Sequence, residues 1–147
     1  SMATTGPRWQ VEFLTVDGVE PARRRFDGLS DTTKQNAVIA AIEHVLIPEG
    51  IGVCASEWGR SLGGGLYELR IRHAADEIRR IRMAFDAGTA PSGRREAVLL
   101  RVDFTTAGPR RILLLSGYDK GRLGAGRRQQ RSIAAARRLA ATVRRRP

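Results

Sequence analysis

Arginine is the residue of this chain best placed to do chemistry. Arg70 and Arg72 lie two apart in LYELRIR, Arg80 and Arg82 lie two apart in IRRIRMAFD, and Arg101 sits among apolar residues in AVLLRVDFT. A spacing of two sends side chains to the same face of a β-strand. Neighbouring strands would then gather these five guanidiniums on one face and leave Tyr67, Leu69, Ile71, Ile81, Val102 and Phe104 on the other. Such a face suits phosphate, because the planar guanidinium fork holds phosphate oxygens in pairs and keeps its charge at any cellular pH. Solvated outward residues of a half-buried sheet would alternate in the same way. They mix signs more evenly, however, and neighbouring arginines repel unless an anion lies among them.

The composition leans the same way. Lys plus Arg number 26 against 15 Asp plus Glu in 147 residues, a formal net charge of +11. A field of that sign collects polyanions, nucleic acid first. A membrane surface fits less well, because the basic residues are spread over several elements instead of one amphipathic helix. All but two of the basic residues are Arg, a bias that Arg-rich codon usage also produces, so position has to carry the argument. No apolar run approaches bilayer length and the start lacks a basic-then-apolar signal pattern, so a cytoplasmic location is expected. Cys54 is the single cysteine, which rules out an internal disulfide or a cysteine-cluster zinc site. His44 and His73 have no partner at metal-ligand spacing, and the glycines at 63–65 and 117–126 match neither a Walker nor a dinucleotide pattern. No metal and no cofactor are expected.

The length suits one domain, residues 2–147, with Ser1 ahead of Met2 reading as a remnant of expression. Residues 9–15 (WQVEFLT) alternate and predict a first strand. Pro21 opens a short helical turn that Asp27-Gly28 closes, and Ser30 or Asp31 caps a helix running to about Ile47, ended by Pro48 and Gly50. After an irregular stretch to Gly65, residues 66–72, 78–86, 97–105 and 110–117 read as a meander of strands, punctuated by Gly88, Pro91, Gly93, Gly108 and Pro109. Ile133, Ala136, Ala140 and Val143 mark one side of a basic helix that begins at Gly126 or Arg127. The expected fold is α+β: an antiparallel meander with an N-terminal helix, or helix pair, on one face and a basic C-terminal helix.

The order of these elements and their local words resemble the RelE/HigB superfamily of type II toxin–antitoxin toxins, its phage-like branch above all. The words are WQVEF, Glu20-Pro21, Arg60 and Leu62 ahead of Gly63-Gly64-Gly65, then LYELR ending in Arg70, then Arg80 to Phe85, then LLLSGYDK ending in Lys120, then a basic helix from Arg127. They span about residues 9–139. The family often has His where Ser116 stands, and its hairpin is shorter than the 88–96 loop here.

The resemblance implies a metal-independent messenger endonuclease that works on the ribosome and is silenced by a cognate antitoxin protein. In that chemistry the ribose 2′-hydroxyl attacks the adjacent phosphate, so the site must orient the attack, stabilise added negative charge and move protons. Arg60, Arg70, Arg80 and Arg82 are the expected charge stabilisers. Arginine does not release its proton, so Lys120, His73, Tyr118 and Asp119 are the proton-transfer candidates, with solvent exposure beside a turn the plain alternative for His73. Tyr118 would stack on a base or plug the sheet. Arg72, Arg101, Arg122, Arg127, Arg128 and Arg131 are expected on RNA backbone, those on the helix having a solvated face as their alternative. Two other functions stay open: a ParE-like inhibitor of DNA gyrase, which would need no arginine on the sheet, and a non-catalytic nucleic-acid-binding domain.

Overall fold

The computed structural model describes residues 7–86, 98–122 and 125–144. Its frame is a five-stranded sheet of β1 (Gln10–Phe13), β2 (Gly59–Gly63), β3 (Leu66–Ile71), β4 (Leu100–Thr106) and β5 (Arg111–Asp119), in the order β1-β5-β4-β3-β2. Only β1 and β5 run parallel; the other pairs are antiparallel, as a meander requires. Arg111 clamps β1 to β5 with two hydrogen bonds to Glu12, of 2.9 and 3.1 Å. With α1 (Pro21–Asp27), α2 (Thr32–Ala41), α3 (Ile47–Glu49), α4 (Ala75–Asp86) and α5 (Ala125–Arg144), the architecture is α+β.

Local chemistry explains most boundaries. Pro21 opens α1, and Asp31 caps α2 by accepting from the Thr33 N–H at 2.8 Å. A wide turn at Ile42–Leu46 carries the helix on into α3, past Pro48. It stops at Gly50, whose φ of +57° and contact with the Trp9 ring leave no room for a Cβ. The stretch Thr32–Ala55 is long and apolar enough to cross a membrane by composition, but its buried residues Ala37, Val38, Ala41, Val45, Leu46 and Val53 belong to the core of this fold.

Both faces of the sheet are covered. One carries α1, α2 and α4 over a core that includes Leu69, Ile71, Val102, Phe104, Ile112 and Leu114. On the other, Ala136, Ala140 and Val143 of α5 pack on Leu14, Leu66, Leu113 and Leu115. The expectation of one open, arginine-bearing face is corrected accordingly: α5 lies over part of it.

A second correction concerns residues 78–86, read as a strand and found in α4. Arg79 and Arg80 are both exposed while Ile78, Ile81 and Arg82 are buried, an arrangement a strand cannot make. Asp76 and Glu77 in the first turn complement the helix dipole, and Arg79 pairs back to Asp76 at 2.5 Å. Strand β2 has the opposite history: glycine-rich and short, it lies inside the stretch read as irregular. The residues 88–96, taken as a loop, lie outside the described residues, as do 145–147.

Placement of α4 yields a measurable contrast. Ile78→Ala should cost about 2–5 kcal/mol in urea unfolding, because Ile78 is fully buried, whereas Arg80→Ala should change stability by less than about 0.5 kcal/mol.

Candidate nucleic-acid interface

Three strands bring charge to the half of the α5-side face that the helix leaves uncovered by apolar packing. Alternation along β3 sends Leu66, Glu68 and Arg70 to that side and Leu69 and Ile71 to the other core. Register then sets the neighbours: Arg60 of β2 lies opposite Glu68, Asp103 of β4 lies opposite Glu68 on the other flank, and Arg70 faces Arg101 directly. Two arginines directly opposite each other repel. Glu68 supplies the compensation: its Oε1 lies 3.8 Å from Arg60 Nη2, from Arg70 Nε and from Arg101 Nε.

The cluster is graded from interior to solvent. Glu68 is 1% exposed and Arg101 3%, while the side chains of Arg70 and Arg60 are 25% and 48% exposed. Three guanidiniums share one carboxylate, so the solvent side stays positive. At 3.8 Å these are ion pairs without hydrogen bonds, and the buried Arg70 Nε has no acceptor among the described residues. Arg72, at the end of β3, adds its field to that of Arg70 at Arg101. Burial, then Arg70, lowers the Arg101 pKa against the opposing pull of Glu68.

Tyr118 closes the cluster from β5, its hydroxyl donating to Glu68 Oε2 at 3.5 Å. Burial, then the charges of Glu68 and Asp103, push its pKa well above that of an ordinary phenol, so at neutral pH it keeps its proton and serves as a hydrogen-bond donor. Asp103 is completely buried; its Oδ2 accepts from Ser132 of α5 at 2.9 Å, and its Oδ1 has no partner among the described residues. Burial, reinforced by Glu68 and opposed by the Ser132 hydrogen bond, raises its pKa to about 7.

The other sequence-chosen residues lie elsewhere. Arg80 is exposed on α4, and Arg82, on the same helix, is buried with Glu49 at 3.1 Å; neither is on the sheet where the spacing put it. His73 packs against the Trp58 ring of the first core and sits 3.1 Å from Glu77. Lys120 is exposed just past β5, and Asp119 is tied to Lys34 at 2.6 Å. Arg122, Arg127, Arg128 and Arg131 are exposed, and all but Arg127 line a groove between α1 and α5. Among the described residues no group of three His, Cys, Asp or Glu is arranged to hold a metal. Glu68 lies within the same alternating LYELRIR stretch, two residues before Arg70, and was given no role by the sequence. The signal available there was a single acid in the middle of an alternating arginine stretch.

No family model matches the chain, and neither the curated proteins nor the solved structures contain a match.

The buried Asp103 carries a pH signature. Unfolded, it titrates near the ordinary 3.8, and folded near 7, so between these values the folded state holds the extra proton and this group's contribution to stability falls as pH rises. Asp103→Asn should therefore gain on the parent protein by on the order of 2 kcal/mol between pH 5 and pH 8. Urea midpoints of the two proteins at both pH values check this; a constant difference would contradict it.

Proposed function

We propose that this chain is a metal-independent endoribonuclease of the toxin type its sequence resembles. It would act in the cytoplasm on messenger RNA at the ribosome and be neutralised by an antitoxin partner. The observation that carries the reading is a cluster in which three guanidiniums share the single Glu68 carboxylate and which opens to solvent at Arg60 and Arg70, each guanidinium there a charge-assisted donor. A phosphate oxygen is the acceptor that such a donor fits.

In the reaction a ribose 2′-oxygen forms a bond to the adjacent phosphorus and the bond to the 5′-oxygen breaks, with one proton removed and one delivered. Arg60 and Arg70 take the added phosphoryl charge. A phosphate between them competes with Glu68 for the same guanidiniums and frees the Glu68 carboxylate, which the three arginines share, to accept the 2′-hydroxyl proton. Tyr118, held protonated, donates to the leaving oxygen.

A second reading has its own support. Glu68 and Asp103 are both buried and the raised pKa makes Tyr118 a weak acid, so the same cluster could bind RNA without cutting it.

Translating ribosomes incubated with the protein, followed by mapping of new messenger 5′ ends, separate the two readings. Codon-phased cuts are expected, falling at least about 100-fold with Arg70→Ala and unchanged with Arg80→Ala. Intact message in the presence of folded protein would overturn the nuclease reading.

A further inference from the structure

Six arginines converge on one groove of about 650 Å3 between α1 and α5: Arg24 and Arg25 from α1, Arg122 from the turn after β5, and Arg128, Arg131 and Arg138 from α5. All six are exposed, and none has a side-chain hydrogen bond or ion pair among the described residues. Among the described residues the one acid on the groove wall, Asp119, is already taken by Lys34. Like charges brought together from two helices cost energy when nothing lies between them, and a row of anions removes that cost. Phe26, Leu29 and Tyr118 also line the groove, giving flat apolar surface between the charged walls.

The shape selects among polyanions. A groove of this volume is the size of a small-ligand cleft, a scale that suits a single strand whose bases turn onto aromatic rings. An acidic peptide would meet the same charges, and the part of β5 that lines the groove lies beyond its register with β1; what favours a nucleic-acid strand is the pair of aromatic rings, Phe26 and Tyr118, on which bases stack. The groove also shares Arg101 and Tyr118 with the Glu68 cluster.

We infer that the groove between α1 and α5 is a track for a single-stranded sugar-phosphate backbone, leading the strand to the Arg101 and Tyr118 end of the Glu68 cluster. This deepens the proposed function by naming the path of its substrate, and it adds Arg24, Arg25 and Arg138 to the interface.

The test uses strands that cannot be cut by 2′-hydroxyl attack, so it remains readable if the chain has no nuclease activity. Fluorescence anisotropy of the full chain is measured with a labelled 12-mer of 2′-O-methyl RNA, the same sequence as single-stranded DNA, the corresponding RNA duplex, and a 12-residue polyglutamate. Both single strands should bind, since the shared phosphates carry the contact, and the duplex should bind at least tenfold more weakly. Arg25→Glu with Arg138→Glu should weaken single-strand binding at least tenfold, and the milder Arg25→Gln with Arg138→Gln should flatten the salt dependence by about one to two phosphate contacts. Circular dichroism confirms that the variants fold. Unaltered affinity in both folded variants, a duplex bound as tightly as the single strands, or polyglutamate that outcompetes them would each overturn the track.

Discussion

A carboxylate taken out of water is the constraint around which the charged half of this sheet is arranged. Glu68 is 1% exposed, a position that strongly disfavours an isolated negative charge. Its tolerance depends on Arg60, Arg70 and Arg101 arriving from β2, β3 and β4, each at 3.8 Å from the same oxygen. The dependence is mutual, because Arg70 and Arg101 stand directly opposite each other and would repel if Glu68 were uncharged. Register, burial and charge are therefore one problem with one solution. A slip of a single residue in β3 would send Glu68 into the apolar core and leave the arginines facing each other without it.

This arrangement links the sheet to α5 and to the groove. Asp103, beside Glu68, is close enough to feel its charge and is buried enough to hold a proton near neutrality, which makes its bond to Ser132 the polar attachment of α5 to that half of the face. Further along, Ala136, Ala140 and Val143 make the apolar attachment. At the C-terminal end Arg137 and Arg144 donate to the carbonyls of Leu62, Gly63 and Gly64 in the β2–β3 turn. The helix is thereby fixed along its length, with Arg128, Arg131 and Arg138 turned to the groove. Arg101 and Tyr118 stand where groove and cluster meet, so charge is continuous from one to the other.

Much of the architecture could be read from residue order. The strand at 66–71, the last two strands, the Asp31 cap, Pro21 and the basic terminal helix all follow local signals that packing then respects. Residues 78–86 misled because Ile81, Met83 and Phe85 alternate as in a strand, whereas burial follows Ile78, Ile81 and Arg82, and Met83 is 69% exposed. Arg80 and Arg82 left the candidate site with that correction. Arg70 and Arg101 were identifiable by type and spacing, and Arg60 and Tyr118 through the family resemblance, but that a carboxylate binds them together was not, because cross-strand register is a property of the whole sheet. The groove depends on two helices far apart in sequence, and its α1 wall, Arg24 and Arg25, carries no local mark that distinguishes it from a solvated turn.

The most direct measurement is a double-mutant cycle between Glu68→Gln and Arg101→Met, read as urea unfolding free energies of the four proteins. If the buried carboxylate and the guanidiniums depend on each other as described, each single change destabilises strongly and the pair recovers at least about 1.5 kcal/mol relative to their sum. Losses that add to within about 0.5 kcal/mol would show that Glu68 and Arg101 act independently, and the organising role given to Glu68 would be wrong.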